Sequence, residues 1–164
     1  MWLRKTFHSY AERLRSLSGT FCDAYVGGRM QEAGECSLEA GELLRAMALA
    51  VRNDQDYRDA VVAPPPECVV GAIVQPSPLS LLADYSPPFS NLQCAGVGRL
   101  GLREALNKVA HADPREGRHG FQASNEWHEL LLTGSRDGVL WFAVISIPLL
   151  CEAVIAQPDR SLSG

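Results

Sequence analysis

The residues best suited to chemistry in this sequence are Arg103, Asn107 and His111. They stand at i, i+4 and i+8, so on a helix they fall within about 80° of one another. Arginine holds a phosphate through a forked pair of hydrogen bonds, asparagine orients a sugar or a water, and histidine moves a proton near neutral pH. Together they suit metal-independent cleavage of RNA by its own 2′-hydroxyl, with the histidine as acid or base. The same spacing also fits an outward polar face that only hydrogen-bonds its neighbours. Other chemistry is sparsely encoded. His8, His111, His119 and His128 form no i, i+4 pair and have no cysteine at finger spacing, so neither a metal nor a cofactor is expected. There is no nucleophile elbow and no P-loop. Gly96-Val97-Gly98-Arg99-Leu100-Gly101 is a literal G-x-G-x-x-G, but a dinucleotide site needs a strand before it. Pro87-Pro88-Phe89-Ser90-Asn91 makes a poor one, so the glycines read as a flexible lead into a helix.

The scaffold around these residues is ordinary in composition. The chain has 164 residues, 46% hydrophobic and 21% charged, which predicts one globular domain over 1–158 and a flexible tail at 159–164. The formal charge of −4 argues against non-specific nucleic-acid binding over the whole surface. Charge is unevenly spread, however. Glu32, Glu35, Glu39, Glu42, Asp54, Asp56 and Asp59 make residues 31–60 acidic, while Arg99, Arg103, Lys108, Arg115 and Arg118 make 99–118 basic. Five cysteines without a C-x-x-C predict reduced, mostly buried thiols. No secretory signal and no apolar run long enough for a membrane span can be read, which predicts a cytoplasmic protein. Arginine outnumbers lysine 13 to 2, a bias expected of GC-rich bacterial or phage genes.

Periodicity supplies the elements. Phe7, Tyr10, Ala11, Leu14 and Leu17 predict an amphipathic helix, with a second piece to Gly27-Gly28 after an expected break at Ser18-Gly19-Thr20. Ser37 reads as the N-cap of the next helix, whose apolar stripe would be Leu38, Leu44, Met47, Ala48 and Val51. Asp54–Val62 could add a turn or two, and Pro64-Pro65-Pro66 ends it. Cys68–Val74 is helix or strand, and Ser77-Pro78 opens a short helix. A helix from about Arg99 to Ala112 carries the polar triplet and stops at Asp113-Pro114. Trp127–Thr133 and Val139–Ile147 then flank Gly134–Gly138 as a β-hairpin, with Trp127 and Trp141 as possible cross-strand partners. Val139, Trp141, Ala143 and Ile145 would face the helices, and a last helix would cover Leu149–Ala156. The expected fold is α+β, mainly a helical bundle with a C-terminal antiparallel hairpin or small sheet.

The segment Leu102-Arg103-Glu104-Ala105-Leu106-Asn107-Lys108-Val109-Ala110-His111-Ala112 resembles the signature helix of HEPN domains. Those are small helical bundles that pair through this helix. Active members are metal-independent RNases whose signature is an Arg, often a polar residue directly after it, and a His four to six positions beyond the Arg. Asn107 and His111 match the polar residue and the histidine, but Leu106 stands where the family has Arg, and Arg103 lies eight residues before His111. Residues 99–155, with this helix followed by a Trp-containing hairpin and a short helix, also resemble a recurrent kind of small bacterial protein. The resemblance implies a homodimer or a protein partner, in biology of the defence or toxin–antitoxin type, more in the manner of a non-catalytic module than of an enzyme. An RNase using His111, Asn107 and Arg103 is the alternative. A third reading is an unrelated phage-encoded inhibitor whose acidic 31–60 face takes a basic partner, weakened by reversing Glu39 and Glu42.

Overall fold

The structure is a computed structural model that describes residues 6–59, 68–78, 80–113 and 120–157. Pro64–Pro66, the 115–119 loop with His119, the expected tail at 159–164 and the side chains of Phe7, Asp54, Asp56 and Asp59 lie outside the described residues. The chain is α+β. Helices α1 (Thr6–Val26) and α2 (Met30–Asp59) come first, then strand β1 (Val69–Val74), a short helix α3 (Leu81–Asp84) and a 3-10 turn at Phe89–Asn91. Strand β2 (Val97–Gly101) runs straight into α4 (Leu102–His111). Strands β3 (Gly120–Ala123), β4 (His128–Arg136) and β5 (Val139–Ser146) follow, and α5 (Ile147–Ile155) closes the order.

The expected bundle with a terminal hairpin is replaced by a five-stranded antiparallel sheet in the order β2-β1-β5-β4-β3. The reason lies in β5. Trp141, Ala143 and Ile145 point to one face, Phe142 and Val144 to the other, and all five are buried. A strand apolar on both faces belongs in the middle of a covered sheet, not in a two-stranded ribbon. Gly71, Ala72, Ile73 and Val74 pair it on the other side, opposite Ile145, Val144, Ala143 and Phe142. The undecided run after Cys68 is therefore a strand.

The helices form a layer on one face of the sheet. Leu14 of α1, Leu44 and Met47 of α2, Leu102 and Leu106 of α4 and Leu150 of α5 share one core with Leu130, Leu132, Trp141 and Ile145. On the opposite face Ala72, Val74, Leu131, Phe142 and Val144 are covered by Leu81, Tyr85, Phe89 and Leu92, from the segment between β1 and β2. As expected, Trp141, Ala143 and Ile145 face the helices, but Val139 stays exposed.

Local chemistry explains several departures. Helix α1 is unbroken at Ser18-Gly19-Thr20 and runs to Val26, two residues before Gly28, whose φ is +73°. The Arg29 N–H donates to the Ala24 carbonyl (2.8 Å) and the Gly28 N–H to that of Tyr25 (3.2 Å), the pairing of a glycine-terminated helix. Helix α2 starts at Met30 and passes through Ser37, which is not an N-cap. Ala33 and Cys36 already pack on Leu17, Phe21 and Ala24 of α1, so the helix is held from one turn before Ser37 onward. Helix α4 starts at Leu102 rather than near Arg99, because Val97–Gly101 pairs with β1. The short helix after Ser77-Pro78 begins at Leu81, with Ser80 at its N-cap position. Helix α5 begins at Ile147, where the Ser146 hydroxyl accepts from the Leu149 N–H (3.4 Å).

The hairpin turn is two residues long, not five. Asp137 and Gly138 have φ of +53° and +78°, the pair that a type I′ turn requires. Gly134 is in the ladder, directly opposite Trp141, and Trp127 precedes β4. The two tryptophans therefore do not face each other. A Cβ at Gly134 would lie inside the Trp141 indole. Gly134→Ala is expected to destabilise the fold by about 1–3 kcal/mol, the usual cost of overpacking. A urea midpoint equal to that of the wild type would contradict this.

Candidate functional site: the outward faces of α4 and α2

Helix α4 presents the three residues singled out by their chemistry. It buries Leu102, Ala105 and Leu106 in the core, leaving Arg103 and Asn107 half-buried and His111 exposed at its last turn. The spacing thus places all three on α4, turned away from the apolar stripe. Lys108, the next basic residue, goes elsewhere. Its ammonium lies 3.3 Å from the Glu104 carboxylate and 4.7 Å from the centre of the Trp141 ring, with the side chain buried. A lysine stem laid on indole with its charge paired within the helix is packing, so Lys108 adds little to a basic outer face. Lys108 sits in the final turn, where a cation complements the helix dipole, and His111 closes that turn. The Asp113 N–H donates to the Thr133 carbonyl (2.9 Å), fixing the end of α4 to β4.

Leu106 does not belong to this outward face. It is fully buried among the core residues. The position at which the resemblance calls for an arginine directly before Asn107 is therefore committed to the interior. Arg103 is one helical turn earlier than Asn107 and offers the guanidinium from a different place.

On the other side of α4, Leu44, Val109, Phe121, Leu130 and Leu132 line a groove of about 300 Å³, with Arg45 among its lining residues; none of Arg103, Asn107 and His111 lines it. The G-x-G-x-x-G residues form the edge strand β2 and its junction with α4. Gly96 has φ of +82°, and a Cβ there would press on the Gln75 carbonyl at 2.9 Å, so that glycine serves the turn into β2. Among the described residues no group of three His, Cys, Asp or Glu is placed to hold a metal ion, and no helix is long and apolar enough to cross a membrane. The five cysteines are free; Cys36 and Cys151 are buried, Cys22 and Cys94 half-buried and Cys68 exposed, fewer buried thiols than composition suggested.

The acidic segment lies along α2, and part of its charge is neutralised within the chain. Glu39 pairs with Arg13 of α1 at 2.8 Å, and Glu32 with Arg29 at 2.8 Å. Such exposed pairs contribute little to stability, but they reduce the field available to a basic partner. Glu35 and Glu42 remain outward. Leu38, assigned to the apolar stripe by periodicity, is on the outer face and 73% exposed.

Two ionisable groups that sequence reasoning passed over are among the most buried polar residues. The Glu129 carboxylate accepts hydrogen bonds from the Tyr85 hydroxyl and from the Phe89 N–H (2.8 Å), which ties the covering segment onto the sheet. Burial raises its pKa against the lowering effect of those two donors, and burial with the neighbouring carboxylate raises that of Tyr85. His128 lies between the rings of Phe21 and Phe121, with Nδ1 2.6 Å from the Ser18 hydroxyl. Burial pushes its pKa down from 6.5 to about 4, so the ring is neutral at physiological pH. The available signal was polar residues beginning an otherwise apolar run, His128-Glu129-Leu130-Leu131-Leu132. His8 also has a structural role, with Nε2 2.9 Å from the Gln157 carbonyl beyond α5. Comparison of the chain with protein-family models, curated proteins and solved structures finds no match.

Proposed function

We propose that this chain is a non-catalytic binding module, HEPN-like in its α4 helix, that acts by pairing with a second polypeptide. The setting is bacterial or phage biology of the defence or toxin–antitoxin type. The observation that carries the non-catalytic reading is the burial of Leu106. An RNase of this kind needs its arginine beside the polar residue and the histidine, and that position here is part of the hydrophobic core. Pairing is supported by the outward faces of α4 and α2, which keep His111, Leu38 and Leu49 exposed and Asn107 half-buried. Covering Leu38 and Leu49 with a partner would take their apolar surface out of water.

The alternative, RNA cleavage by His111 with Asn107 and Arg103, is favoured only by their shared outward face. The two readings separate in one assay: purified protein with RNA in the presence of a chelator, wild type beside His111→Ala. The binding-module reading expects no cleavage by either. Cleavage by the wild type that disappears in His111→Ala would overturn it.

A further inference from the structure

We infer that α2 is the surface through which two copies of the chain pair, antiparallel, about a two-fold axis passing between Leu43 and Leu44. This rests on the binding-module reading and names its partner. Glu35, Leu38, Glu42, Arg45, Leu49 and Arg52 follow one another at alternating steps of three and four residues. That is the spacing of a seam made for a second helix. The seam lies opposite the face α2 buries with Ala33, Ala40, Leu44, Met47 and Val51. Its first five residues are exposed and Arg52 is half-buried. Leu38 and Leu49, 73% and 62% exposed, are the most exposed large apolar residues among those described.

The seam is complementary to itself only when reversed. An antiparallel copy places Glu35 against Arg52, Leu38 against Leu49 and Glu42 against Arg45, and the two-fold repeats each pair. Every layer is then apolar on apolar or acid on base, as an isologous interface requires. A parallel copy in register would set Glu on Glu and Arg on Arg, which is repulsive. Within one chain, Glu42, Arg45 and Arg52 have no ion-pair partner among the described residues, and Glu35 accepts a hydrogen bond from Gln31 one turn earlier (3.3 Å). Two glycines flank the seam. A Cβ on Gly34 would meet nothing within 4 Å, and one on Gly41 would meet the Arg45 guanidinium at 3.6 Å. Glycine inside a helix costs about 1 kcal/mol against alanine, and packing within this chain does not require it at either position.

The test uses the full-length chain and sedimentation equilibrium at tens of micromolar. Glu35→Arg with Glu42→Arg makes the seam wholly basic, and Arg45→Glu with Arg52→Glu makes it wholly acidic. The wild type is expected to be a dimer. Each double variant alone should be a monomer, with association weakened on the order of a hundredfold by like charges. Mixed one to one, the two variants should restore a dimer containing one of each, which also certifies that both are folded. A wild-type monomer at these concentrations overturns the inference, as does a mixture that stays monomeric. Double variants that remain dimeric would place the pairing on another face; the α2 seam then falls while the binding-module reading stands. RNA cleavage, by contrast, would remove that reading whatever the mass.

Discussion

Phe142→Ala is expected to destabilise the protein by about 3–5 kcal/mol, the range for deleting a fully buried aromatic side chain. Phe142 is wholly inaccessible, and its neighbours on that face of the sheet are mostly small: Ala72, Val74, Val144 and Leu131. The ring packs edge-on to Tyr85, with centroids 5.5 Å apart at 64°. Tyr85 is itself anchored to Glu129, and Glu129 also holds the Phe89 N–H. The covering segment is thus fixed by those two bonds and cannot sink freely into the space the ring vacates. Poor collapse places this site at the costly end of such substitutions. Urea unfolding of the variant beside the wild type measures the loss. A loss below about 1.5 kcal/mol, the scale of a volume-conserving swap, would mean that the segment rearranges around the gap.

The second large effect is a loss of stability on acidification. His128 is neutral in the fold, with a pKa of about 4, and near 6.5 when exposed. Between those values the unfolded chain binds a proton that the folded chain refuses, so stability falls as pH falls. The stabilisation is complete above pH 6.5 and is lost progressively down to about 4. A displacement of this size amounts to about 3 kcal/mol. Glu129 acts with the opposite sign. Its carboxyl pKa is raised from 4.5, so its contribution is present below 4.5 and is lost as pH rises through the folded value. The His128 effect is therefore best read as a difference. His128→Phe keeps an aromatic ring between Phe21 and Phe121 and should flatten the profile between pH 6.5 and 4. Wild type and variant with parallel profiles over that range would show that the histidine is not the titrating group.

Much of the architecture was legible because it rests on local rules. The hairpin was signalled by Asp137-Gly138 between apolar runs, and the α4 stripe of Leu102, Ala105 and Leu106 by helical spacing. The sheet was not legible, because β1 and β2 are short, contain glycine and gain strand character only by pairing, β1 with β5 and β2 with β1. Ser37 illustrates the same limit at a helix start: its capping chemistry is sound, but packing of Ala33 and Cys36 on α1 overrides it. Leu38 was misplaced because periodicity reports that a residue is apolar at helical spacing, not which of two faces is covered. Of the site, the positions of Arg103, Asn107 and His111 on one helix could be read from spacing. The buried Glu129–Tyr85 and His128–Ser18 contacts could not, since their partners are 44 and 110 residues apart.

The central place of β5 also orders events during synthesis. Among the described residues, the strand that every inner pairing depends on is followed by α5, which packs on α1, the first of the described helices. As the chain leaves the ribosome, the α1–α2 hairpin can form at once from neighbouring segments, and β1 can meet β2. Neither half has a finished core until residues 139–155 emerge. For most of its translation the nascent polypeptide holds the apolar sides of α2 and β1 without their cover, a state prone to association with other nascent chains and to capture by chaperones.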